Sequence, residues 1–248
     1  MKLIINGDDF GLSEANTLGI IKAHKDGILT STTMMTNMPY SVLAAELMKN
    51  YPKLGVGLHL TLTMGKPLLK DHCSIVDKDG KFRSQKDYYQ QNFEIDYQEI
   101  EREYQAQMDC FIELTGQLPT HIDHHHSQSL TKEHPALILA LAKKYNIPVR
   151  DGFNLYGLDY DFKKVDFVRD FYGDEISVDF FLENQANLLD YEVVESMCHP
   201  GYLDWDLYNK SSYNIQRMKE LEILCDDSLK QWVKDHGIEL INFRDIKN

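Results

Sequence analysis

Short β-branched and apolar runs alternate with amphipathic stretches along nearly the whole chain, and this alternation limits the available folds more than any other feature. The first run, Lys2-Leu3-Ile4-Ile5, ends abruptly in Asn6-Gly7-Asp8-Asp9-Phe10-Gly11. Residues 2–5 suit a buried strand, while Gly7 and Gly11 permit a tight backbone that would turn two adjacent carboxylates out at its end. An acidic turn of this kind also has a purely local reading, with Asp9 or Ser13 capping the next helix. Residues 13–25 read as that helix, with Leu18, Ile20 and Ile21 near one side and Gly27 at its stop. Residues 28–35 form the next strand and 41–50 the next helix. The run Gly55-Val56-Gly57-Leu58-His59-Leu60 is a third strand that carries a histidine near its end.

Residues 61–86 are long for a bare connection in a compact domain and read as a functional loop. The spacing of Ile100, Tyr104, Met108, Phe111 and Ile112 predicts a helix over 96–115, with Gly116 just past its end. Pro119-Thr120-His121-Ile122-Asp123 is a short strand that runs into His124-His125-His126. A helix over 133–145, an extended segment over 147–150, a strand over 192–198, one long helix over 214–236 and a last strand over 237–243 complete the pattern. The stretch 152–190, rich in Phe, Tyr and Asp, reads as one or two helices with a weak strand between them. Seven or eight strands alternating with helices favour a mostly parallel sheet, and a chain of 248 residues suits a closed (β/α) barrel. With no linker, repeat or low-complexity segment in view, the expectation is a single domain over 1–248.

The charge of -13 and the lack of a Lys/Arg cluster argue against nucleic-acid and anionic-membrane partners. Neither a membrane-length apolar run nor a signal peptide is evident, so the expected compartment is the cytoplasm. Cys73, Cys110, Cys198 and Cys225 are scattered, which suggests neither a disulfide framework nor a thiolate metal site.

Asp8, Asp9, His59, His125, Arg150 and His199 all fall at or just beyond the C-terminal ends of different predicted strands. In a barrel those ends share one mouth, where active sites are built. Each residue alone has an ordinary structural role open to it: a core histidine, a solvated turn, an ion pair. Their common location favours a site. One carboxylate and two imidazoles are a reasonable set for a divalent ion, with Zn, Co, Ni or Fe favoured by the imidazoles and Mg or Mn still compatible. A second carboxylate could take a proton from the attacking water, and a histidine across the mouth could protonate a leaving group, which together describe metal-assisted hydrolysis.

The segments Asn-Gly-Asp-Asp-Phe-Gly-Leu-Ser at 6–13, Gly-Ile-Leu-Thr-Ser-Thr-Thr at 27–33, Gly-Leu-His-Leu-Thr at 57–61, Pro-Thr-His-Ile-Asp at 119–123 and Cys-His-Pro-Gly-Tyr at 198–202 resemble the YdjC-like carbohydrate deacetylases, in order and over nearly the whole chain. That family is similar to the NodB-type polysaccharide deacetylases, so the resemblance implies an irregular, TIM-barrel-like (β/α) barrel and a metal held by one Asp and two His. It implies that Asp9 and His59 are ligands, that Asp8 is the general base, that His199 is the acid and that Arg150 orients the catalytic Asp. Counting from Asp123, His124 stands where the family has serine and His125 takes the ligand position, with His126 as the alternative. The implied activity is removal of N-acetyl groups from small acetylated (chito-)oligosaccharides, with one divalent ion, Mg2+ favoured, and a homodimer. Phe10, Tyr202 and Trp205 are candidates for stacking on sugar rings. Competing readings are a phosphoesterase or other amidohydrolase on the same scaffold, and a sugar-binding relative without turnover.

Overall fold

The computed structural model describes residues 1–90, 92–126, 130–151, 158 and 160–246. Its elements run β1 (Lys2–Phe10), α1 (Glu14–Asp26), β2 (Ser31–Met34), α2 (Ser41–Met48), β3 (Gly55–Leu60), α3 (Gln85–Gln90), α4 (Tyr97–Thr115), β4 (Ile122–His124) and α5 (His134–Tyr145). The second half follows as β5 (Asp166–Val168), α6 (Asp179–Leu182), β6 (Val193–Cys198), α7 (Trp205–Lys210), α8 (Ile215–Leu224), α9 (Asp227–Asp235) and β7 (Glu239–Leu240).

One parallel sheet runs in the order β4-β3-β2-β1-β6-β5, and β7 pairs with the first residues of β1 (Lys2↔Glu239, Leu3↔Leu240). Because the strands are parallel, all their C-terminal ends lie on one side, which brings Asp9, His59, His124 and Cys198 to a common rim. Buried strands such as Ser31–Met34, Gly55–Leu60 and Val193–Cys198 are covered on both faces, as parallel sheets require. The expected closure is corrected by this order: β4 and β5 end the path, and no ladder joins them among the described residues, so the sheet is an irregular, open barrel. Beyond β4 a single bridge, Ile122↔Val149, seats the extended segment that carries Arg150.

Two further expectations change. The helix over 214–236 is two helices, because Asp226 turns to an extended backbone and accepts the Ser228 N–H as the N-cap of α9. The last strand shrinks from 237–243 to Glu239–Leu240, since Asn242 caps a 3-10 turn instead. On α1 the covered face is Asn16, Thr17, Gly19, Ile20, Ile21 and Ala23, while Leu18 is 40% exposed. Gly19 is required there: a Cβ would lie 2.5 Å from Gly201 Cα, so the helix packs backbone to backbone on the turn after β6.

The long segment after β3 is tied down by a polar row on α4. Glu99, Glu103 and Gln107 recur every four residues and are buried beside the apolar stripe. Glu99 accepts the N–H groups of Cys73, Ser74 and Ile75; Glu103 accepts those of Leu68 and Leu69 and contacts His72 Nε2 at 3.1 Å. Gln107 closes the row by bonding both the N–H and the carbonyl of Thr61. These carboxylates take the place of backbone partners that an irregular segment cannot supply itself. Among the described residues no helix is long and apolar enough to cross a membrane.

Candidate active site

Neighbouring residues of a regular strand point to opposite faces, yet Asp8 and Asp9 both reach the mouth of the barrel. A register shift between Gly7 and Phe10 explains this, together with a positive φ of 71° at Asp9. That conformation is unfavourable for a non-glycine residue and persists where surrounding bonds over-determine it, often at functional sites. Ser13, rather than Asp9, caps α1, accepting the Asn16 N–H at 3.1 Å.

Asp8 is gripped by Arg150, whose Nη1 and Nη2 donate to its two oxygens at 2.8 and 2.6 Å. Asn6 Nδ2 donates to Asp8 Oδ1 at 2.8 Å, so among the described residues Oδ2 has Arg150 alone. The same fully buried guanidinium meets Asp123 Oδ2 at 2.9 Å and Glu195 Oε1 at 2.7 Å, tying β1, β4 and β6 together through the interior. Burial alone would raise Asp8, but the charge and bonds of Arg150 overcome it and hold the carboxyl far below the usual carboxylate range. Glu195, the third partner, is instead pushed up by burial to about 7. One cation among three buried carboxylates leaves a surplus of negative charge, and a shared proton is the natural relief.

Asp9 Oδ1 faces His59 Nε2 at 3.2 Å and His125 Nδ1 at 2.9 Å. His59 Nδ1 lies 2.6 Å from Asp123 Oδ1, with Thr33 Oγ1 bonded to the other oxygen of Asp123. A neutral His59 spends its one proton on Asp123, so Nε2 meets Asp9 with a lone pair and needs a cation or a proton between them. Burial would lower His59, but Asp123 and Asp9 raise it to about 10, which is the proton's answer to that requirement. The donor atoms of Asp9, His59 and His125 lie within 4.8 Å of one another, and His125 Nε2 is buried without a partner among the described residues. Two imidazoles, one carboxylate and an oriented tautomer fit a divalent ion. His126, the alternative to His125, has a φ of 59°, bonds Thr63 Oγ1 through Nδ1 at 2.8 Å and rests its ring 4.0 Å from that of His125, outside the group of converging donor atoms. His124 packs edge-on against Tyr104 and His134.

His199 sits just past β6, with its backbone N–H donated to Glu220 and its Nδ1 buried without a partner among the described residues. Burial pushes its imidazole down to about 4, with Asp8 only partly opposing. Sequence reasoning missed the two residues of α8 that complete the site. Arg217 Nη2 donates to Asp9 Oδ2 at 2.6 Å, and Glu220 also accepts the hydroxyl of Tyr213. Burial pushes Glu220 up to about 8 in spite of that bond. Nothing in their spacing separates them from the solvated charges of an ordinary helix. Glu195 did carry a signal, as a lone charge inside an otherwise apolar run, and Asp123 lay in a segment already singled out.

Asp8, Asp9, His59, His125, His199 and Arg217 floor a cavity of about 700 Å³. Its wall includes Met64, Gln85 and Tyr89 from the long segment and α3, and Arg169, Tyr172, Lys210 and Tyr213 from the second half. The expected sugar-stacking residues are not on it. Phe10 is fully buried in the core, while Trp205, 76% exposed, stacks on Tyr208 outside the cavity, as Tyr202 also lies outside. In their place Tyr172 stands over Tyr213, with centroids 4.1 Å apart and planes 8° from parallel, and edge-on to His199 at 5.6 Å.

An open parallel α/β barrel is also the fold of solved carbohydrate esterases and polysaccharide deacetylases. A family 4 carbohydrate esterase from Streptomyces lividans, solved with acetate, superposes with a TM-score of 0.54 at 12% identity, covering 99% of this chain and 95% of the other. A solved protein of Enterococcus faecalis V583, provisionally assigned to cellobiose-phosphate cleavage, superposes with a TM-score of 0.90 at 35% identity over 100% of this chain and 99% of its own. The chain belongs to the YdjC-like family, whose model matches residues 2–235. It is 41% identical to a carbohydrate deacetylase of Brevibacillus brevis, over 99% of this chain and 100% of that protein. A carbohydrate deacetylase of Clostridium beijerinckii is 39% identical over the same shares.

Proposed function

We propose that the chain is a metal-dependent carbohydrate deacetylase that removes N-acetyl groups from small acetylated amino sugars such as chito-oligosaccharides. The observation that carries this is the meeting of Asp9, His59 and His125 at one point beside Asp8, at the floor of a cavity. Its near full-length similarity to carbohydrate deacetylases supports the substrate class.

Asp9, His59 and His125 would hold one divalent ion, Mg2+ by family expectation and Zn2+ by the preference of two imidazoles. When bound, such an ion polarises the acetamide carbonyl and makes water more acidic. Asp8 takes the water's proton on Oδ2, the oxygen with a single partner among the described residues. Arg150 keeps that carboxylate ionised and oriented. His199 meets the departing amine. Burial keeps its ring neutral in the resting site, so the proton it passes on is acquired during turnover. Tyr172, fixed from below by Tyr213 and 52% exposed, offers a flat face on which a sugar ring next to the reacting acetamide can rest.

The test is acetate release from diacetylchitobiose by protein loaded with Mg2+ or Zn2+, beside a His59→Ala variant. Loss of release in the variant is expected, and equal release by both removes the metal mechanism. Phosphate release from phosphoesters without acetate release would move the chain to the phosphoesterase reading.

A further inference from the structure

Helix α8 sends two charged side chains, three residues apart, to opposite sides of the same site. Glu220 accepts the backbone N–H of His199, and Arg217 reaches Asp9. Arg217 is almost wholly buried and doubly anchored: Nε donates to the carbonyl of Tyr213 at 2.8 Å and Nη2 to Asp9 Oδ2 at 2.6 Å. Its own carbonyl accepts the Gly201 N–H at 3.0 Å, which fixes the backbone from which it extends. Asp9 is constrained as well, by its positive φ and by the Leu12 N–H, which donates to its carbonyl at 3.0 Å. The carboxylate is therefore divided, with Oδ1 toward His59 and His125 and Oδ2 toward Arg217.

We infer that Arg217 is a positioning residue that restricts Asp9 to a single coordinating oxygen and thereby sets which divalent ion the site prefers. The inference rests on the reading of Asp9, His59 and His125 as the ligand set. For Oδ2 to join Oδ1 on an ion, the guanidinium would have to leave a buried carboxylate that it pairs at short distance, stranding its own charge. Calcium is the ion that suffers most from this restriction, since it takes six to eight oxygens and commonly binds carboxylates through both. Zinc needs few ligands and magnesium binds one oxygen per carboxylate, so both accept what the site offers. The role differs from that of Arg150, which holds the neighbouring Asp8 by both oxygens and leaves the ligand set alone.

The test is calorimetric titration of the chelator-stripped full chain with zinc, magnesium or calcium alone, for wild type, Arg217→Met and Arg217→Lys. Expected is a rise of about tenfold or more in calcium affinity relative to zinc in Arg217→Met, with Arg217→Lys within roughly threefold of wild type. An unchanged ratio in folded Arg217→Met overturns the inference. Should Arg217→Met fail to fold, a crystal structure of the zinc- or cobalt-loaded wild type decides. One Asp9 oxygen on the ion with the other still on Arg217 is expected, and both oxygens on the ion overturn it. Wild type that binds no divalent ion, or binds one that His59→Ala still holds, removes the ligand-set reading and this inference with it. Ion binding lost in His59→Ala, with selectivity indifferent to Arg217, removes the inference alone.

Discussion

The floor of the cavity and its rim are built on different principles. On the floor and directly beneath it, Asp8, Asp9, His59, Asp123, Arg150 and Glu195 are buried and bonded to one another across four strands and the Arg150 segment. On the rim, Gln85, Tyr89, Arg169, Tyr172 and Lys210 are half-buried or exposed and come from short helices and connections. Floor residues hold each other's charge, so each serves stability and chemistry at once; rim residues can change one at a time.

The comparison breaks first, and most visibly, at His59. His59→Ala should lower kcat/KM for acetate release by about a thousandfold or more. A loss below about tenfold would mean that the floor is structural only. Next in size is Arg150→Met, which strands three buried carboxylates and should cost about 3–5 kcal/mol in denaturant unfolding. A cost under about 1 kcal/mol, the level of a surface pair, would contradict the shared-charge account.

Glu220 gives a pH-dependent effect of intermediate size. Its folded-state pKa is raised by burial to about 8, above the unfolded value near 4.5. Its contribution to stability is therefore fully present below about pH 4.5 and is lost as the pH rises through about 8. Glu220→Gln should flatten that part of the stability profile, changing its drop between pH 5 and 8 by about 3–4 kcal/mol. Parallel profiles for the two proteins would show that Glu220 is ionised throughout.

The rim sharpens the contrast with smaller effects. Tyr172→Ala should raise KM for an oligosaccharide about tenfold, or about 1.4 kcal/mol, with the melting temperature and metal affinity unchanged. Smallest is Trp205→Ala, expected to change kcat/KM by less than about twofold because the ring lies outside the cavity. A large effect there would return Trp205 to the substrate path.

How much of this was legible in the chain follows the same division. Asp8, Asp9, His59, His125, Arg150 and His199 could be found because each follows an apolar run, and parallel strands carry such positions to one rim. Their partners were harder. Arg217 and Glu220 lie on a helix, where a charge three residues from another is the usual sign of a solvated face, and only the packing of α8 against α1 and the turn after β6 buries them. The break at Cys225-Asp226 was hidden because neither Gly nor Pro marks it; a side-chain cap does. Phe10 seemed available to a sugar because it borders the acids, but the register shift that turns Asp8 and Asp9 to the mouth leaves it in the core.

The row Glu99, Glu103 and Gln107 has a consequence for how such a chain can diversify. Three side chains of α4 satisfy the backbone of the segment that supplies Met64 to the cavity wall and leads to Gln85 and Tyr89. Neither piece can be exchanged alone, since a foreign segment would strand buried carboxylates and a foreign helix would strand amides. Segment and helix form a cassette, to be inherited or grafted as one. Chimaeras that swap 61–115 whole are the ones expected to fold with a new rim over the old floor.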